Sequence, residues 1–147
     1  MTSERYRIPR EDMVRDILFS VLKDNVTIRS QSRLHRLIEA RLKDIDPGAR
    51  FKLSAERLRR IAATMQGVKM MIHCRESEQI FSGSKCPVCA TQMRPIRNQT
   101  LYGWTVNTGK FCPVCNFWTG TKLRKPIRYV FIYQGENTPS DDARGGI

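Results

Sequence analysis

Three stretches in the N-terminal half of the chain carry apolar residues at helical spacing, and each is bounded by polar or turn-forming residues. The first begins after Pro9, with Glu11 and Asp12 in its opening turn, where negative charge interacts favourably with the helix dipole. Each pattern predicts an amphipathic helix with one buried face. The predicted inward residues are Met13, Val14, Ile17, Leu18, Val21 and Leu22 in the first helix, Leu34, Leu37, Ile38 and Leu42 in the second, and Leu58, Ile61, Ala62 and Met65 in the third.

Serine residues mark where the second and third helices begin. Ser30 or Ser32 is placed to cap the second helix and Ser54 to cap the third, because a serine hydroxyl accepts a hydrogen bond from a backbone N–H of the first turn. The third helix is expected to extend to about Met65, with Gly67 ending it.

Three further segments are β-prone. Residues 26–28 form a short run before the second helix, 68–74 are typical of a strand followed by a polar exit, and 128–133 form a last strand rich in aromatic and β-branched residues. The remainder, 134–147, is rich in glycine, proline and small polar residues, so it is expected to be a disordered tail.

The order of helix, short strand, helix, turn, helix and strand over about residues 9–82 resembles the winged-helix family. The resemblance implies an α+β protein whose residues 1–82 form a winged-helix-like domain of three helices and short strands. A second strand for the wing is hard to find before Cys86. In winged helices the third helix is the recognition helix, so its exposed face, centred on Arg60 with Arg57 and Arg59 beside it, is a candidate nucleic-acid contact.

The most specific motif is a duplicated knuckle, Cys86-Pro-Val-Cys89 and Cys112-Pro-Val-Cys115. Tetrahedral Zn²⁺ takes four thiolates at about 2.3 Å, and two intervening residues let one tight turn aim both sulfurs inward. The spacing therefore predicts one zinc ion bound by Cys86, Cys89, Cys112 and Cys115. Four cysteine ligands leave no position for water, so this zinc is expected to be structural.

Residues 83–133 resemble the zinc ribbons of transcription factors, ribosomal proteins and RNA polymerase subunits, in which two cysteine knuckles sit on β-hairpins. The resemblance implies a C-terminal all-β zinc ribbon over 83–133. Such ribbons often place glycine directly after a knuckle, where a left-handed backbone is convenient, whereas this chain has Ala90 and Asn116.

The charge of the chain indicates a polyanionic partner. The formal net charge is +12 over 147 residues, and the segment 81–133 contains no Asp or Glu. A solvated surface normally mixes both signs of charge, so this segment is predicted to contact nucleic acid. The candidate contacts in it are Arg94, Arg97, Lys110, Lys122, Arg124, Lys125 and Arg128, together with the aromatic residue Trp104, which is expected near the centre of a hairpin.

Catalytic chemistry has little support in the sequence. His35 and His73 are the only histidines, and neither has the companions of a second metal site. His73 and Cys74 are neighbours in a predicted strand and point to opposite faces, so they cannot easily form a nucleophile and base pair. There is no glycine-rich phosphate loop or paired-carboxylate motif. These observations predict a non-enzymatic protein with no small-molecule substrate.

The chain is expected to be cytoplasmic and to have no membrane partner. Its first residues are polar and charged, and no apolar run approaches the roughly 18 residues of a membrane span. In a reducing compartment, paired cysteines are more often metal ligands than disulfides.

The combination of the two domains resembles archaeal information-processing proteins and leaves three functions open. The leading interpretation is a DNA-binding transcription or chromatin-associated factor, in which the third helix enters the major groove. The second is an RNA-binding, ribosome-associated protein whose ribbon contacts structured RNA. The third is a protein-interaction subunit of an information-processing complex such as the transcription machinery.

Overall fold

A computed structural model describes residues 6–135 of the chain. The predicted tail, 134–147, therefore lies outside the described residues except for Gln134 and Gly135. The helices are α1 (Glu11–Asn25), α2 (Gln31–Ile45) and α3 (Ala55–Thr64), and the strands are β1 (Tyr6–Arg7), β2 (Thr27–Ile28), β3 (Arg50–Phe51), β4 (Val68–Ile80), β5 (Arg94–Gln99), β6 (Thr105–Phe111), β7 (Trp118–Thr119) and β8 (Lys122–Tyr133). The fold is a mixed α+β arrangement with three helices and two antiparallel sheets in this part of the chain.

The three helices follow the predicted pattern closely. The hydroxyl of Ser30 caps α2 by accepting from the backbone N–H of Arg33, and that of Ser54 caps α3 by accepting from Arg57. Helix α1 has no side-chain cap at Arg10, but its first turn holds the two acidic residues that favour the positive end of the dipole. None of the helices described is long and apolar enough to cross a membrane.

The first antiparallel sheet has the strand order β2-β8-β4, so the last strand of the chain is its centre. Residues 128–133 are predicted to belong to the C-terminal ribbon, whereas the structure pairs β8 with both β2 and β4. Strand β4 also continues past the predicted polar exit to Ile80, because β8 pairs with it along most of its length. Residues 81–121 are thus inserted between the two strands of one ladder.

The helices pack on one face of this sheet and form the first hydrophobic core. Ile28 of β2 and Phe131 of β8 are fully buried among the apolar stripes of the three helices. Phe131 follows the inserted segment 81–121 in the sequence, so the chain returns to the helical core after that segment. Strands β1 and β3 add a small parallel pair beside the helices.

The second antiparallel sheet, with strand order β5-β6-β7, lies in the inserted segment. Its core consists of the four knuckle cysteines with Val88, Met93 and Phe117. Strand β6 approaches β7 so closely at Gly109 that a Cβ there would collide with the carbonyl oxygen of Thr119. The close approach of these two strands therefore requires glycine at position 109.

Candidate metal centre and nucleic-acid interface

The two knuckles bring four cysteine sulfurs into one buried cluster. The Sγ atoms of Cys86, Cys89, Cys112 and Cys115 all lie within 4.8 Å of one another, and every one of these residues is buried. The Sγ–Sγ distance is 3.5 Å both between Cys86 and Cys115 and between Cys89 and Cys112. Four thiolates at about 2.3 Å from a tetrahedral ion would lie about 3.8 Å apart. The cluster can therefore hold a metal ion.

Both knuckles have the same backbone turn. The N–H of Ala90 donates to the carbonyl of Cys86 at 2.8 Å, and the N–H of Asn116 donates to that of Cys112 at 3.1 Å. Ala90 has φ 64° and Asn116 has φ 66°, so both occupy the left-handed region. The turn thus takes a conformation that glycine adopts most readily, with an alanine in one copy and an asparagine in the other.

Hydrogen bonds join the cysteine sulfurs of this cluster to backbone N–H groups and to one another. The N–H groups of Val114 and Cys115 each point at the sulfur of Cys112 from 3.4 Å. The hydrogen bond with Cys115 is the main cause that lowers the pKa of Cys86 to about 5, while the same bond raises the pKa of Cys115. A bound cation favours the deprotonated form of a coordinating thiol, so metal binding is coupled to loss of the thiol protons.

The fifth cysteine and the two histidines stand apart from this cluster. Cys74 packs against the cysteine core without joining the four sulfurs, and burial raises the pKa of its thiol. His73 is exposed on the opposite face of β4, as the alternation of a strand requires. His35 Nε2 donates to the carbonyl oxygen of Leu53 at 2.6 Å, and His35 Nδ1 lies 3.0 Å from Glu39 Oε1, so this ring has a structural role in the helical part.

The arginines of α3 hold the first knuckle. Arg59 Nε donates to the carbonyl of Val88 at 2.7 Å, and Arg60 Nε donates to that of Cys89 at 3.0 Å. The guanidinium of Arg59 also lies over the ring of Tyr129, 4.8 Å from its centroid. The predicted free face of α3 therefore needs correction at Arg59 and Arg60, because the inserted segment packs its first knuckle against these two side chains.

Arg57, the third predicted contact on α3, is half-buried, and its Nη1 atom is buried without a hydrogen-bond partner within the described residues. Arg60 is more exposed and also pairs with Glu56 at 3.1 Å. Arg59 and Arg60 therefore use guanidinium nitrogens in contacts within the chain, whereas the half-buried Arg57 guanidinium has no ion pair or hydrogen bond within the described residues. The contacts with the knuckle join residues 29 positions apart, and no local pattern in the sequence could have revealed them.

Three of the predicted basic contacts of the segment have partners within the chain. Lys110 Nζ donates to the carbonyl of Gly83 at 2.7 Å, and Lys122 pairs with Glu78 at 2.7 Å. Arg124 stacks on Trp118, with its guanidinium carbon 3.8 Å from the ring centroid. The other four predicted basic contacts, Arg94, Arg97, Lys125 and Arg128, have no ion pair or hydrogen bond to a side chain in the part of the chain that is described.

The outer face of the β4–β8 ladder brings basic residues of both strands together. Arg75 lies directly opposite Lys125, and His73 lies directly opposite Arg128. Lys69 shares this face of β4, while Met70 and Ile72 point to the other face, toward the cores. We call Lys69, His73, Arg75, Lys125 and Arg128 the basic ladder. The sequence analysis missed the first three, although basic residues at 69, 73 and 75 share the period of a strand.

The ribbon sheet carries a second exposed surface. Phe111 lies opposite Arg94 on one side and opposite Trp118 on the other, and Val106 shares their face of the sheet. We call these four residues the aromatic face. The turn that joins β5 and β6 carries Leu101, Tyr102 and Trp104, which we call the hairpin tip. The predicted contact Trp104 is 69% exposed there, and Tyr102 is 82% exposed.

Comparison of the chain with models of known protein families, with curated proteins and with solved structures found no match. The functional assignment therefore depends on the geometry and chemistry of the cysteine cluster, the basic ladder, the aromatic face and the hairpin tip.

Proposed function

We propose that this chain is a non-enzymatic zinc protein that binds nucleic acid through the exposed surfaces of its two sheets. The helical part has the element order of a winged helix, and β4 and β8 supply the two wing strands. In this interpretation the zinc ribbon is an insertion within the wing. The insertion explains why the second wing strand could not be found before the first knuckle.

Zinc is the metal that the donor set favours. Four thiolate sulfurs in a tetrahedral cluster suit Zn²⁺, and in a structural site of this kind the ligands fill every coordination position. The buried cysteines make up much of the ribbon core, so the ion organises the ribbon and performs no chemistry. The zinc is therefore proposed to act by holding the exposed surfaces of the ribbon in place.

The observation that carries the nucleic-acid assignment is the pairing of like charges in the basic ladder. Cationic residues directly opposite each other on adjacent strands destabilise a sheet, and Arg75 and Lys125 are such a pair. Glu76 cannot compensate for them on this face, because it follows Arg75 and points to the other side of β4. A polyanion that lies along the ladder would remove this repulsion, and phosphate groups suit that requirement.

The position of α3 distinguishes between the modes of binding. Arg59 and Arg60 each donate from Nε to a carbonyl of the first knuckle, so their guanidinium groups are oriented toward the chain itself, which favours contact through the sheets over base reading by α3. Contact through the sheet surfaces is consistent with either DNA or RNA as the partner. The transcription-associated and ribosome-associated interpretations share this surface, and both are favoured over a module that contacts only proteins.

The charge of the ladder has a measurable consequence. Replacing Arg75, Lys125 and Arg128 together by alanine should weaken binding of the zinc-loaded chain to DNA and RNA. It should also flatten the plot of log affinity against log salt by about one unit per lost phosphate contact. Affinity measured by fluorescence anisotropy at several salt concentrations gives this slope.

A matched triple variant controls for net charge. Arg10, Lys43 and Lys52 are exposed residues of the helical part, and replacing them by alanine removes the same three charges without touching the ladder. The control should keep most of the salt slope of the parent chain. An equal slope in the ladder variant and the parent chain would remove the ladder from the interface and contradict the proposed function.

A further inference from the structure

We infer that the ribbon binds unpaired nucleotides, whose bases stack on the hairpin tip and along the aromatic face while their phosphates meet neighbouring arginines. The inference rests on the proposed function and adds to it the class of nucleic acid that is bound. It depends on three features of the ribbon: a rigid tip, exposed rings and an excess of positive charge.

The hairpin tip is held in one conformation. The N–H of Thr100 donates to the carbonyl of Trp104 at 2.7 Å, and the N–H of Gly103 donates back to Thr100 O at 3.0 Å. The Thr100 hydroxyl accepts from the backbone N–H groups of Tyr102 and Trp104 at 3.3 and 3.1 Å. Gly103 has φ 87°, the left-handed conformation that glycine permits at such a turn. The backbone conformation of the turn therefore determines that the side chains of the hairpin tip are exposed.

The rings at the tip are available for stacking. Tyr102 and Trp104 have centroids 5.8 Å apart and ring planes tilted by 42°, so neither ring covers the flat face of the other. Leu101 beside them is fully exposed. A small protein gains nothing in stability from presenting three large apolar side chains to water on an ordered turn, and such clusters mark binding sites.

The aromatic face continues this surface along the ribbon. Phe111 and Trp118 are neighbours across β6 and β7, and the guanidinium carbon of Arg124 lies over one face of the Trp118 ring, 3.8 Å from its centroid. Phe111 and Trp104 are seven residues apart along the chain, which at about 3.3 Å per residue corresponds to roughly 23 Å of extended strand. The surface therefore has room for several nucleotides.

The surrounding charges favour nucleotides over an apolar protein partner. Arg94 on the aromatic face and Arg97 on β5 have no ion pair within the described residues, and no acidic residue occurs between 81 and 133. A double helix keeps the flat faces of its bases inside the stack, so exposed rings can stack only on bases that are unpaired. Aromatic rings interleaved with cationic groups are typical of surfaces that bind single strands.

The test compares single strands with duplex for the zinc-loaded chain. The probes are fluorescein-labelled oligo(dT) and oligo(U) of about 12 nucleotides and a DNA duplex of the same length. Trp104 and Trp118 are the two tryptophans of the chain, so their intrinsic fluorescence reports ring contact directly. A Tyr102→Ala, Trp104→Ala double variant removes both rings of the tip, and Tyr102→Phe, Trp104→Phe is the matched control that keeps an aromatic ring at each position.

The alanine variant is expected to lose about tenfold or more in affinity for single strands and to stay within about twofold of the parent on duplex, while the phenylalanine variant retains single-strand binding. If the alanine variant loses affinity for both oligo(dT) and oligo(U), the site binds single strands of DNA and RNA alike. If it loses affinity for only one of them, the site is specific for single-stranded DNA or for single-stranded RNA, respectively. Unchanged single-strand affinity in the alanine variant, or equal losses on duplex, would overturn the inference and leave the proposed function standing. A parent chain that binds no probe would overturn both.

Discussion

Replacing Cys86 and Cys112 by serine is expected to abolish zinc binding and unfold the ribbon. The change removes one ligand from each knuckle, and the ribbon core consists largely of the four ligands themselves. Structural zinc sites supply an apparent binding free energy of about 10–16 kcal/mol, and that energy is the folding energy of a small metal domain. Elemental analysis should show one zinc per parent chain and none in the variant, with loss of the chemical-shift dispersion of ribbon residues.

Cys74→Ser provides the control for this experiment. Cys74 packs against the same core but lies outside the cluster of four sulfurs, so its replacement should leave one zinc per chain. The helical part should keep its circular dichroism in both variants, because its core is made by other residues. Full zinc content in the double serine variant, or loss of zinc in Cys74→Ser, would show that the ligand set is wrong.

Phe131→Ala is expected to destabilise the helical part by about 3–5 kcal/mol, because the ring is fully buried among the three helices and its removal leaves a cavity. Stabilities of small domains are typically 5–15 kcal/mol, so the loss is a large fraction of the total. Urea unfolding followed by helical circular dichroism measures the change. The zinc content should remain at one per chain, since Phe131 does not belong to the ribbon core.

Ile127→Ala is a matched change on the same strand. Ile127 is 62% exposed at the irregular point of the β4–β8 ladder, so its truncation should alter stability by less than about 0.5 kcal/mol. If Phe131→Ala were as mild as Ile127→Ala, the last strand would not belong to the helical core. The insertion of the ribbon between β4 and β8 would then be contradicted.

The local parts of this architecture could be predicted from the sequence. Helical periodicity predicts the three helices and their buried faces, and the capping serines predict where two of them begin, at Ser30 or Ser32 and at Ser54; the structure has the caps at Ser30 and Ser54. Both signals depend on residues close together in the chain. The duplicated knuckle predicts the four-cysteine cluster for the same reason, since a Cys-Pro-Val-Cys turn determines where its own two sulfurs point.

The parts that depend on distant residues could not be predicted. Strand pairing between β4 and β8 joins Val68 to Tyr133, and no periodicity in either segment specifies that partner. The register of that pairing is also what aligns Arg75 with Lys125. The contact of Arg59 and Arg60 with the knuckle depends on how the inserted segment folds back onto α3. Because no local pattern encodes that packing, the sequence pattern alone predicts a free recognition helix.

Photo-crosslinking of the zinc-loaded chain to thiouridine-containing RNA and thiothymidine-containing DNA tests the central claim most directly, because peptide mapping identifies the residues that touch nucleic acid. If nucleic acid binds through the two sheets, crosslinks are expected in the hairpin tip, on the aromatic face and along the basic ladder, and none is expected in α3. Crosslinks confined to α3, with none between residues 69 and 128, would contradict it.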